Sequence, residues 1–144
     1  MKILLDTHTL LWALGSPDRL PNHIIDLICS ESNDVYVSVA SLWEIGIKHK
    51  KSPNKMPFSA TQIRDYCQRA GYLFLSISVD SISTFDKIAF GNNSDPFDQI
   101  LLSQSIANNM KFITHDEKIK QCGIGNIELF WLRLYKPKIN IFKI

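Results

Sequence analysis

Apolar residues run along this chain in two rhythms. Short apolar runs, such as Ile3-Leu4-Leu5, Val35-Tyr36-Val37 and Phe112-Ile113, alternate with longer stretches whose apolar positions recur every three or four residues. The short runs predict buried strands and the longer stretches predict helices. Lys2–Asp6 reads as a strand ending in an acid, and Thr7–Gly15 as a helix stopped by Gly15-Ser16-Pro17. Pro21–Ser30 reads as a helix with Ile24, Ile25, Leu27 and Ile28 toward the core, Asp34–Ser38 as a strand, and Ala40–Lys50 as a helix. After the loop Pro53–Pro57, Ser59 caps a helix running to Ala70, where Gly71 stops it. Tyr72–Ile77 follows as a strand. Val79–Phe90 reads as a helix with Ile82, Phe85 and Ile88 on its buried side, and Gly91–Ser94 as a polar loop. Pro96–Asn108 is predicted helical, Lys111–Thr114 a strand, Glu117–Gln121 a helical turn and Ile127–Phe130 a last strand. Strand and helix in alternation predict an α/β fold with a central, mainly parallel sheet of four or five strands flanked by helices. Trp12 and Trp43 are expected in the core.

That order places acids at the ends of elements. In open α/β sheets, sites form outside the carboxyl ends of the strands. Asp6 ends the first strand, and Asp116 lies just beyond the fourth. Glu44 falls in the second turn of the helix leaving the second strand, and Asp98 in the first turn of the helix after the polar loop. All four can meet at one cleft. Each also has a bland reading: Asp6, Thr7 or Asp116 can cap a helix, and Asp95 before Pro96 is a good N-cap with Asp98 at the third helical position. Glu44 sits among Leu42, Trp43, Ile45 and Ile47. A carboxylate buried there needs a partner, either a bound cation or Lys48 one turn on.

Carboxylate clusters suit Mg²⁺ or Mn²⁺ and the hydrolysis of phosphodiesters. His8, His23, His49 and His115 make no zinc-hydrolase pattern, although His8 and His115 adjoin the acids. The three cysteines, Cys29, Cys67 and Cys122, are widely spaced and read as reduced thiols. A formal charge of +2 is too small to identify a nucleic-acid partner, but Lys48, Lys50, Lys51 and Lys55 cluster with His49 at a helix end. At 144 residues, 45% of them apolar, the chain suits one domain over residues 1–134. Residues 135–144 form a basic tail with Lys136, Lys138 and Lys143, either a disordered end or an interface arm. The first apolar run is cut short by Asp6, so no signal peptide is expected, and no run is long enough for a membrane span. A cytoplasmic protein is the expectation.

The motifs carrying these acids resemble those of PIN-domain toxins of the VapC type. Leu4-Leu5-Asp6-Thr7-His8-Thr9-Leu10-Leu11-Trp12 is similar to the family's opening. Ser38–Ile45, Asp95–Ser105 and Ile113-Thr114-His115-Asp116 are similar to its later motifs, in family order over roughly residues 2–120. The resemblance implies a PIN fold and an endoribonuclease dependent on one or two Mg²⁺ or Mn²⁺ ions. It implies that Asp6, Glu44, Asp98 and Asp116 form the acidic quartet, catalytic and metal-holding, with Thr114, Asp95 and Thr7 in support. RNA is then the substrate, with Lys48, Lys50 and Lys51 as candidate backbone contacts. A small cognate antitoxin and a homodimer are the implied protein partners. Gln99 and Asn93-Ser94 depart from the subgroup's usual residues, which bears on substrate contacts rather than on the metal site. Two other classes fit the acids. A phosphatase could use Asp6 as nucleophile, although His8 stands where a second Asp is usual. A receiver-like or catalytically dead PIN-like domain would only bind partners.

Overall fold

The computed structural model describes residues 1–91, 94–120 and 127–130. Five strands form one sheet in which every pairing is parallel: β1 (Lys2–Leu5), β2 (Asp34–Ser38), β3 (Leu73–Leu75), β4 (Lys111–Thr114) and β5 (Ile127–Leu129). Their spatial order is β3-β2-β1-β4-β5. The helices are α1 (Thr7–Gly15), α2 (Asn22–Cys29), α3 (Val39–Lys51), α4 (Ala60–Arg69), α5 (Val79–Phe85), α6 (Pro96–Ala107) and α7 (Glu117–Lys120). The expected α/β class and parallel sheet are therefore observed. The chain builds outward from β1 to β3, then crosses back to β4 on the other side of β1. That reversal opens a crevice at the carboxyl ends of β1 and β4.

Successive strand residues point to opposite faces, and both faces are covered. Ile3, Leu5, Val35, Val37 and Ile113 pack on one side with Leu10, Ile24, Ile45 and Ile63 of the helices. Leu4 and Phe112 pack on the other with Leu101, Leu102 and Met110. This double cover explains why the strands read as unbroken apolar runs rather than as alternating ones.

Local signals set most boundaries. Ser59 closes a capping box with Gln62, the two exchanging side-chain-to-backbone hydrogen bonds of 2.8 and 3.2 Å. Asp95 accepts from Phe97 N at 2.8 Å and starts α6. At the end of α4, Gly71 has φ +81°, while Tyr72 N donates back to Cys67 O at 3.0 Å. A Cβ there is strained by the backbone conformation even with open space around it. Gly71→Ala is expected to cost about 1 kcal/mol, measured as a lower urea midpoint at unchanged m.

Three expectations need correction. The third strand is only Leu73–Leu75, not Tyr72–Ile77. The helix predicted to reach Phe90 ends at Phe85, where Lys87 N and Ile88 N turn back to Thr84 O and Phe85 O. Ile88 still reaches the core from this turn, but Ile82 is half exposed and Ser81 takes the buried place instead. Trp43 is not a core residue: it is 66% exposed, its ring edge-on to Phe97 at 5.6 Å. Trp12 is partly buried against the first core. Cys29 and Cys67 are free thiols. Cys122, the polar-loop residues Asn92 and Asn93, and the tail 135–144 lie outside the described residues. Among those described, no helix is long and apolar enough to cross a membrane.

Candidate active site

The crevice beside β1 is a cleft of about 430 Å³ lined by Asp6, Asp98 and Asp116, together with His8, His115 and Lys118. Asp6 is almost fully buried at the N-terminus of α1. Its capping role and its place in the cleft coexist. Oδ1 accepts from Thr9 N at 2.7 Å, and Oδ2 accepts from the Thr114 hydroxyl at 2.6 Å. Thr114 Oγ1 in turn accepts from Asp116 N at 3.0 Å, so one buried threonine ties the ends of β1 and β4 together. Burial pushes the Asp6 carboxyl up. The His115 ring beside it and the donors of Thr114 and Thr9 outweigh that, leaving it below its ordinary value. His115 Nδ1 stands 3.8 Å from Asp6 Oδ2, at ion-pair rather than hydrogen-bond range, and has no hydrogen-bond partner among the described residues.

Asp98 faces the same space from α6, half-buried. Loss of water is the main cause that raises its carboxyl to about 7, and the negative charges of Asp6, Asp95, Asp116 and Glu44 add to it. Asp116 also caps the following turn, accepting from Lys118 N at 2.9 Å.

Glu44 is the least exposed to solvent after Asp6 and does not line the cleft itself. Thr7 Oγ1 donates to its Oε1 at 2.8 Å and lies 3.0 Å from Ser41 Oγ. Lys48 Nζ bonds its Oε2 in an i,i+4 pair. The sequence left open whether Glu44 would meet a cation or Lys48; here it meets Lys48. Of the basic cluster, Lys48 is therefore engaged, while Lys50 and Lys51 are exposed at the end of α3. Asp95 caps α6 at its exposed start and adds negative charge near Asp98.

Among the described residues, no three acidic, histidine or cysteine side chains stand close enough to ligate one ion. The chemistry of the cleft nevertheless fits a hard divalent cation. Its acidic donors are carboxylate oxygens, and a carboxyl raised to about 7 by burial and then by four neighbouring negative charges marks a shortage of positive charge.

Two features escaped the sequence reading. One is the buried Gln104, which accepts from Ser38 Oγ at 2.6 Å and donates to Ser76 O at 3.2 Å, joining α6 to the ends of β2 and β3. The other is a ring cluster of His8, Trp12, His115 and Phe130 at the cleft. In the sequence, its traces were the positions of His8 and His115 beside the acids and the i,i+4 spacing of His8 and Trp12.

Solved structures share this architecture. The VapBC2 complex from Rickettsia felis, bound to a DNA fragment from its promoter, matches with a TM-score of 0.66 and 21% identity, over 90% of this chain and 98% of that one. DNA-bound VapBC from Salmonella typhimurium gives 0.61 and 16%, over 89% and 97%. FitAcB from Neisseria gonorrhoeae gives 0.59 and 16%, over 87% and 95%. At such identities the likeness is one of fold. No curated protein sequence matches significantly. The family comparison spans far more than half of the chain. Residues 3–124, from β1 past α7 and including every acid of the cleft, match the PIN domain, and the chain belongs to that family.

Proposed function

We propose that this protein is a Mg²⁺- or Mn²⁺-dependent endoribonuclease and the toxin of a toxin–antitoxin pair. The observation that carries the reading is the cleft itself. Asp6, Asp98 and Asp116 come from segments far apart in sequence, yet they line one space at the sheet's switch point. Membership of the PIN family supports nuclease chemistry and sets aside the receiver-like and phosphatase alternatives. A catalytically dead PIN scaffold remains the rival for the assay to decide.

Asp6, Asp98 and Asp116 line the cleft without converging on one point, and would hold the ion by closing around it, with Glu44 behind them. The chemistry supplied by such an ion is Lewis acidity, which polarises a phosphoryl oxygen and makes water a better nucleophile near neutral pH. The chain's own residues do the positioning. Thr114 and Thr9 N fix the Asp6 carboxylate in one orientation, so little reorganisation is needed when charge develops opposite it. Thr7 and Lys48 hold the Glu44 side chain pointed toward the start of α1. Burial and the neighbouring acids raise the Asp98 carboxyl to about 7 in the ion-free site, so a cation beside it would favour the ionised, ligating form. Lys50 and Lys51 are exposed cations close to Lys48 in the chain and suited to tracking an RNA backbone. Products with 5′-phosphate and 3′-hydroxyl ends are expected from the family chemistry.

Structural neighbours that are VapBC toxin–antitoxin complexes support a small cognate antitoxin as partner. Trp43, Val79 and Ile82 leave apolar surface uncovered, which supports a homodimer. The test is direct. Purified protein is expected to cleave RNA with Mg²⁺ or Mn²⁺ and to stop when EDTA is added. Protein that binds RNA without cutting it in either metal would be a dead scaffold.

A further inference from the structure

The ring cluster is built as a platform rather than as a core. His8 and Trp12 lie one turn apart on α1 and so share a face. Their rings stack, with centroids 5.6 Å apart and planes 24° from parallel. Trp12 is locked in place. His115 meets it edge-on at 4.8 Å, Phe130 meets it at 6.4 Å, and the Arg19 guanidinium lies 5.0 Å from its ring. His115 also meets His8 edge-on at 5.4 Å. His8 itself is exposed and lines the acidic cleft beside Asp6, Asp98 and Asp116. One imidazole face is therefore backed by the Trp12 ring, while His8 as a whole remains exposed and lines the cleft.

We infer that the His8 ring receives an unpaired nucleobase of single-stranded RNA, flanking the phosphate held at the carboxylates. The inference rests on the nuclease reading above and adds to it the residue that positions a base beside the carboxylates. A base in a duplex spends both faces on its neighbours, so only a base free of the helix can extend this stack. Aromatic stacking tolerates any base, so the platform positions the strand without reading its sequence. His8 thereby becomes a substrate-positioning residue, with Trp12 as its support. Nothing in this role requires His8 to transfer a proton.

The test reads binding apart from cleavage. Fluorescence anisotropy with Ca²⁺ compares a labelled single-stranded RNA decamer, the same decamer with an abasic site stepped along it, and the matching duplex. The wild type is expected to prefer the single strand, and one abasic position is expected to weaken binding on the order of tenfold. His8→Ala should bind the intact strand as weakly as the wild type binds that abasic strand and show no further loss on it. His8→Phe should restore the difference. Equal binding of strand and duplex, an unchanged affinity in His8→Ala, or tighter binding of single-stranded DNA than of RNA overturns the inference. Cleavage in Mn²⁺ by wild type and by Asp6→Asn is measured in parallel. Loss of the abasic effect with cleavage intact defeats the platform alone, whereas no cleavage by the wild type defeats the nuclease reading.

Discussion

Asp98→Asn is expected to abolish RNA cleavage, by a factor on the order of a thousand or more, and yet to make the metal-free protein more stable above neutral pH. The wild-type carboxyl is held near 7 by burial and by the charges of Asp6, Asp95, Asp116 and Glu44, against an ordinary value of 3.8. Between those two values the unfolded chain has released this proton while the folded chain keeps it. The folded state therefore binds more protons, and stability from this group falls as pH rises through the window. Above it, the folded protein carries the full strain of an ionised, crowded carboxylate. Asparagine has no such charge. Its advantage over the wild type should be near zero at pH 4 and largest at pH 8. That rise corresponds to a ceiling of about 4 kcal/mol. Solvent screening in a half-open cleft brings the expected gain to about 2 kcal/mol. Thermal unfolding of both proteins at pH 5 and pH 8, compared at each pH, measures it. Other titrating groups cancel in that comparison to first order. Mg²⁺ should raise the wild-type midpoint more at pH 8 than at pH 5, because ligation needs the ionised form, and should do little for the variant. A variant no more stable than wild type at pH 8 would mean that the carboxyl ionises freely.

Asp6→Asn is expected to be equally inactive but to move stability the other way. The Asp6 carboxylate is satisfied, not strained: Thr9 N and Thr114 Oγ1 both donate to it, and its carboxyl lies below the ordinary value. Such a group adds stability above pH 3.8 that is lost only as pH falls through the folded value. Asparagine keeps one oxygen for the cap but turns an amide donor toward Thr114, itself a donor in this pair. The hydroxyl must then rotate, or two donors face each other while buried. A loss of about 1–3 kcal/mol is expected, read as a lower denaturation midpoint at pH 7, with RNA cleavage undetectable on gels where the wild type digests fully. Cleavage at the wild-type rate would remove Asp6 from the chemistry. A midpoint above wild type would show that the two hydrogen bonds do not outweigh the crowding of charge.

The opposite signs expected for two aspartates of one cleft show where sequence reading stops. Both stand at element boundaries with a capping role open to them, and nothing in their neighbours along the chain distinguishes them. Thr114 makes the difference. It stands far from Asp6 in the chain and meets it only because β4 pairs with β1, so that Asp6 N also donates to Ile113 O at 3.1 Å.

What the sequence alone determined is what depends on near neighbours. Apolar runs and helical spacing were enough for the α/β class and the parallel sheet, and Ser59, Gly71 and Asp95-Pro96 marked ends through contacts within a few residues. The Glu44–Lys48 pair was likewise available from i,i+4 spacing. Tertiary packing decided the rest. It ended α5 at Phe85, exposed Trp43 and Ile82, drew Gln104 between two strand ends, and stacked His8 on a Trp12 that His115 and Phe130 immobilise. Periodicity tells which side chains share a face of their own element. Which faces find a partner, and how much water is left around a charge, depends on segments brought together only by the assembled sheet.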